Sequence, residues 1–222
     1  MKKTPLQGRA LRAGTAVLLA ALMTTQLSAC FPLAAAGIAA TTLAAIDRRT
    51  LGAQADDQSI ELRAASRISE RYGDRAHINI TSYNRKVLIT GEVPDAPSKV
   101  GIESIVAGVD SVLSTVNELL VGPPSSLTTR GSDTLITGQA KASLVDSKDI
   151  FANAFKVVTE RGTVFLMGRV TQAEGNRAAS AVRNVRGVER VVKVFDYITE
   201  QELASMQAQP APEGRTPPAP AR

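Results

Sequence analysis

The sequence predicts an α+β fold of two tandem α-β-β-α-β modules, each with two helices on one face of a three-stranded mixed sheet. Three observations carry that prediction. The middle of the chain repeats itself, each copy opens with apolar residues at helical spacing, and alternating segments follow in the same order. The first copy spans 56–122 and the second 131–199. VLITGEV (87–93) matches VFLMGRV (164–170), with Gly91 on Gly168, and VAGVDSVLSTV (106–116) matches VRGVERVVKVF (185–195), with Gly108 on Gly187. Copies of about 68 residues are too long for a solenoid unit and fit small domains.

Ile60, Ala64 and Ile68 recur at i, i+4 and i+8, one face of an amphipathic helix, with Asp57 near its start. Asp133, Ile136, Ala140 and Leu144 repeat the pattern. Residues 77–81, HINIT, alternate apolar and polar as a half-buried strand does. Residues 82–85 turn the chain into a second strand over 86–93. In the second copy Gly162 suits the turn because it accepts a positive φ. Pro94-Asp95-Ala96 opens a second helix that ends at Gly108, and its counterpart runs from Gln172 to about Arg186 before Gly187. Third strands are expected over 109–121 and 188–199. The sheet face away from the helices carries more polar residues.

The ends differ in kind. Lys2, Lys3, Arg9 and Arg12 precede an apolar run from Ala13 to Met23, too short for a bilayer span, which needs roughly 20 residues. A charged start, a short apolar core and small residues before a cut site define a secretory leader, here 1–29. Leu27-Ser28-Ala29-Cys30 resembles the bacterial lipobox, where the cysteine thiol takes a diacylglycerol and cleavage falls just before it. Cys30 is the single cysteine, so no intrachain disulfide can brace the fold. Position 31 is Phe; by resemblance to enterobacterial lipoproteins, the absence of Asp there favours transfer to the outer membrane. Residues 30–55 read as the anchor and an apolar linker. Residues 207–222, QAQPAPEGRTPPAPAR, read as a disordered tail.

The formal charge of +5 belongs mostly to the leader. Without its four cations, 22 Lys and Arg face 21 Asp and Glu, which gives no basic domain for nucleic acid. No catalytic chemistry is expected. The one histidine, His77, reads as a strand-edge or surface residue with no second His or free Cys beside it, so neither a metal nor a cofactor is expected. The recurring glycines form no phosphate-binding loop.

The element order, the central VLITG and VFLMG strands and the later Gly-Val pairs resemble the BON domain. A lipobox ahead of two such modules, with DRRTLGAQADD (47–57) and VFLMGRVT (164–171), resembles the dual-BON lipoproteins of Gram-negative outer membranes. The resemblance covers nearly the whole mature chain except the tail. It implies a non-enzymatic, phospholipid-binding protein on the periplasmic face of the outer membrane. That protein would support envelope integrity, with a role at division sites, and its second module would contact anionic phospholipid through its first helix.

Differences between the copies locate the candidate site. The first copy has a net charge of −3 and the second +3, so an anionic membrane should attract the second. Ser59 of the first copy corresponds to Leu135, one residue from the core position Ile136 and so about 100° round the helix. Leu135 is expected either to dock on a membrane or to pack on the other module, with Gln139 alongside. A helix start at Gly131-Ser132-Asp133 would offer free N–H groups to a lipid phosphate, with Arg130 adjacent. Arg130, Gly131, Ser132, Asp133, Leu135, Ile136 and Gln139 are therefore the candidate phospholipid-binding residues. The alternative function is a protein-interaction scaffold docking on an envelope assembly machine or a peptidoglycan-associated partner.

Overall fold

A computed structural model describes residues 47–73 and 76–208. The leader, Cys30, the segment 31–46 and the tail beyond 208 lie outside the described residues. The first module contains α1 (Leu51–Tyr72), β1 (His77–Tyr83), β2 (Lys86–Val93), α2 (Ala96–Ala107), β3 (Ser114–Asn117) and β4 (Leu120–Val121). The second contains α3 (Leu127–Asp146), a 3₁₀ turn at Ala152–Ala154, β5 (Lys156–Glu160), β6 (Thr163–Val170), α4 (Gln172–Arg183) and β7 (Arg190–Tyr197), followed by α5 (Glu200–Ala208). In each sheet the hairpin is antiparallel and the last strands pair parallel to the central one. The predicted α+β class, with mixed sheets, is present. Among the described residues no helix is long and apolar enough to cross a membrane.

The repeated positions form the two helix-facing cores. Ile60, Ala64 and Ile68 pack with Val87, Ile89, Ile102 and Val106. Ile136, Ala140 and Leu144 pack with Val164, Leu166, Ala178 and Val182. The paired aspartates have a different role from the one expected. Asp57 and Asp133 lie inside their helices and are buried. Each accepts the two backbone N–H groups of the neighbouring hairpin turn: Asn84 and Arg85 donate to Asp57, Arg161 and Gly162 to Asp133. All four donors sit at left-handed φ, between 46° and 69°. Both central residues at positive φ define the turn whose twist matches a hairpin. Three of the four are not glycine, so the carboxylate offsets a conformation that costs them energy.

Several expected boundaries are corrected. Thr50 and Ser126 cap α1 and α3, so both helices begin upstream of the aspartates. The third strand of the first module starts late, because 109–113 form the turn out of α2, and it is two short pieces broken at Glu118 and Leu119. Helix α4 ends at Arg183, not at Arg186. Helix α5 runs through Gln207 and Ala208, the first two residues of the expected tail.

The largest correction concerns the second face of each sheet. It is not left to solvent. Tyr83 and Leu88 of the first module share one buried cluster with Phe165, Met167 and Val194 of the second, flanked by Val116, Val158 and Val192. The sheets pack on each other, with a helical layer outside each. Both modules accordingly fall in a single compact unit.

The opposite net charges of the copies are used in this contact. Lys156 Nζ lies 2.8 Å from Glu61, Arg161 pairs with Glu92, and Arg190 lies 3.4 Å from Glu118. These three pairs account for the whole surplus of each copy. Those three cations of the second module are therefore engaged by the first module and are not free to face a membrane.

Candidate functional site

Helix α3 carries the candidate docking face. Its buried line is Asp133, Ile136, Ala140 and Leu144. At 100° per residue, Leu127, Gly131, Leu135, Gly138, Ala142 and Val145 fall within an arc of about 80° on the opposite side. Leu127 is 83% exposed, Leu135 69% and Val145 70%. A side-chain carbon added at Gly131 or Gly138 would meet nothing within 4 Å. The outward stripe is thus apolar along the length of the helix. Arg130 and Lys141 lie along one edge of it, and Ser132 and Gln139, both exposed, along the other.

This placement sorts the expected site residues. Leu135, Gly131, Ser132 and Gln139 share the outward side. Asp133 and Ile136 face the core, 5% and 7% exposed, and cannot meet a lipid without unfolding. The expected phosphate-binding helix start at Gly131 is overturned. The helix begins at Leu127 behind its Ser126 cap, and Arg130 N–H already donates to the Ser126 carbonyl, so Gly131–Ile136 lie inside the helical ladder. Arg130 Nε is tied to Ser125 Oγ at 3.1 Å. Leu127 and Val145 were missed by reading the two copies for single differences. The signal that finds them is the outward i, i+4, i+8, i+11 spacing.

The same arc of α1 holds Leu51, Ala55, Ser59, Leu62, Ser66 and Ser69. Three serines interrupt it. Arg63 beside it bridges Asp110 at 3.0 Å across exposed surface. Only the second module therefore presents a continuous apolar stripe.

A second feature lies between the modules. His77, on β1, stands opposite Glu92 of β2 in the antiparallel register, and its Nδ1 is 3.1 Å from Glu92 Oε2. His77 does lie on an edge strand, as one expectation had it, but it is half-buried against a carboxylate and not free at the surface. Glu92 is 1% exposed and also accepts from Arg161 Nε and the Ser125 N–H. Burial alone would raise its carboxyl, but these donors hold it below the ordinary range. Glu160 of β5 reaches the same place and accepts from Asn79 Nδ2 at 2.9 Å. Burial pushes its carboxyl above the ordinary range, because the Asn79 amide offsets only part of the lost hydration. A cavity of about 360 Å³ opens here, lined by His77, Asn79, Arg130, Thr134, Thr137 and Glu160 among others.

Two mixed-sheet folds packed back to back, each with its turn-pinning aspartate, define the class. Residues 56–123 and 132–199 both match the BON domain family, and the chain belongs to that family. Within it, the tandem arrangement makes this a dual-BON protein similar to DolP. It is 35% identical over 185 residues to the outer membrane lipoprotein DolP of Haemophilus influenzae, covering 82% of this chain and 95% of that one. It is also 35% identical over 155 residues to the 21 kDa hemolysin of Actinobacillus pleuropneumoniae, covering 69% of this chain and 80% of the relative. Neither relative is named as an enzyme.

Proposed function

We propose that this is a lipid-anchored protein of the outer membrane, facing the periplasm, which binds anionic phospholipid through helix α3 of its second BON module and so supports envelope integrity. The observation that carries the reading is the exposed Leu127–Leu135–Val145 stripe. Each of these side chains contributes about 1.5–3 kcal/mol when fully buried in an apolar phase. Arg130 and Lys141 beside the stripe add roughly 1 kcal/mol each near an anionic surface. Because three basic residues of the module are already paired with the first one, apolar insertion outweighs charge, and salt should weaken binding only modestly. Similarity to an outer membrane lipoprotein supports the location. A preference for anionic lipid would enrich the protein at division sites, where the curved membrane is rich in such lipid.

Flotation of the unlipidated chain with vesicles tests this. Wild type is expected to float with both kinds of vesicle, and more with anionic than with zwitterionic ones. Leu135→Glu is expected to remove at least nine-tenths of the bound fraction with an unchanged melting temperature, since position 59 of the first module already tolerates a polar Ser. Binding that persists in Leu135→Glu would move the docking face elsewhere and favour a scaffold whose exposed stripe meets a protein.

The anchor has its own test. Cys30→Ala should leave either an uncleaved precursor or a soluble periplasmic protein in cell fractionation. A processed form that still needs detergent for extraction would refute lipidation at Cys30.

A further inference from the structure

The geometry points to a divalent-cation site between the two BON modules, with His77, Glu92 and Glu160 as its protein ligands and zinc or manganese as the fitting ion.

One imidazole and two carboxylates form a mixed nitrogen and oxygen donor set suited to such ions. Their ligand atoms lie within 4.8 Å of one another. An ion bonded at about 2.0–2.2 Å to each ligand holds neighbouring ligand atoms roughly 3–3.5 Å apart. The His77–Glu92 contact, at 3.1 Å, already has that spacing. Glu160 completes the set by a side-chain movement of about 1–2 Å, and the adjoining cavity gives it room.

Burial separates this group from an ordinary surface cluster. Glu92 and Glu160 are 1% and 7% exposed. Glu92 has Arg161 as its cation. Glu160 has the neutral Asn79 amide as its hydrogen-bond donor and His77 at longer range, and among the described residues no Lys or Arg pairs with it. A buried carboxylate without a countercharge is costly, and a bound cation would remove that cost. A second buried polar group on the same sheet face also lacks a partner. Thr90 lies two residues before Glu92 on β2, so strand alternation puts it on the same face. It is 1% exposed, and its hydroxyl has no hydrogen-bond partner. Arg161 and Arg130 also border the site and oppose a dication, which weakens the expected affinity. Two ligands come from the first sheet and one from the second, so the ion would fasten the modules together.

The test uses the untagged full chain in detergent. His77 is its only histidine, so the imidazole proton signals in NMR are unique reporters. Micromolar Co²⁺ should shift or broaden those signals saturably at one ion per chain. Zn²⁺ should compete for the same site and raise the melting temperature by several degrees. His77→Gln and Glu160→Gln should each weaken Co²⁺ uptake at least tenfold. Imidazole signals that ignore Co²⁺, or uptake unchanged in both variants, would overturn the site. The wild-type imidazole measurement stands even where a variant folds poorly, and it is independent of vesicle binding.

Discussion

Replacing Gly91 by valine is expected to abolish folding of the described unit, with no cooperative thermal transition at ordinary temperature. Gly91 sits at φ 115°, and a Cβ there would lie 2.0 Å from the carbonyl oxygen of His77 on the paired strand. The obstacle is backbone in a central sheet, so no side-chain rotation relieves it. Both the left-handed conformation and the clash act together, and the cost should exceed about 4 kcal/mol, a large fraction of a domain's stability. Gly168→Val should act alike, since its Cβ would lie 2.4 Å from the Ala154 carbonyl. The close neighbour is backbone in both cases: β1 for Gly91, and the 3₁₀ turn that leads into β5 for Gly168. Because the sheets share the Tyr83, Leu88, Phe165 and Met167 cluster, losing one module exposes the other's apolar face. Circular dichroism of either variant should therefore show both modules lost together. A variant retaining half the native signal and one sharp melt would show that the modules fold independently.

Arg48→Ala should destabilise the unit by about 3–5 kcal/mol, the usual cost of leaving a buried ion-pair partner alone. Arg48 precedes the first module and reaches the second. Its two guanidinium nitrogens lie 2.8 and 2.7 Å from the two oxygens of Glu174, and Nη1 also donates to the Arg169 carbonyl. The side chains are 7% and 11% exposed. Next to it, Arg49 bonds Asp57 and stacks 4.3 Å over the Tyr83 ring of the first module. This pair of arginines straps the modules together. Burial alone would raise the Glu174 carboxyl, but Arg48 and the Thr171 N–H hold it below its ordinary range. A depressed folded value means that the stabilisation is complete above the unfolded carboxylate value, about 4.3. It is lost as pH falls through the folded value. Wild type should thus lose stability on acidification below that point, and Arg48→Ala should lose less. Denaturant melts at pH 7 and pH 3 measure both effects. Equal acid losses in the two proteins would show that Glu174 gains nothing from Arg48.

Helix α3, the proposed docking element, shows how far one-dimensional reading reached. Leu135 was recognisable as exposed because it lies one residue from a repeated core position, and helical geometry then fixes its direction. The start of α3 was not recognisable. Thr128, Thr129 and Gly131 are weak helix formers, and helix is kept there by the Ser126 cap and by packing of the following turns. With the start misplaced by a turn, Gly131 to Ile136 looked like free donors and Leu127 looked like linker.

The sequence by itself determined the repeat, the two helix-facing cores and the central-strand glycines Gly91 and Gly168. Each of these is written in spacing within a copy, which local geometry reads directly. Its pairing of Gly108 with Gly187 was three residues out, because Gly108 caps α2 as Asn184 caps α4, and Ser111 at φ 70° takes the place of Gly187 at φ 89°. Only the tertiary structure decided what covers the second face of each sheet, where the opposite charges of the copies go, and that the lone histidine meets two buried glutamates. On β2 that face reads Leu88, Thr90, Glu92, a mixed pattern that looks like solvent exposure until its partner is known. The partner strands lie some 70 residues further along, and no periodicity encodes which distant surface will exclude water from a polar residue.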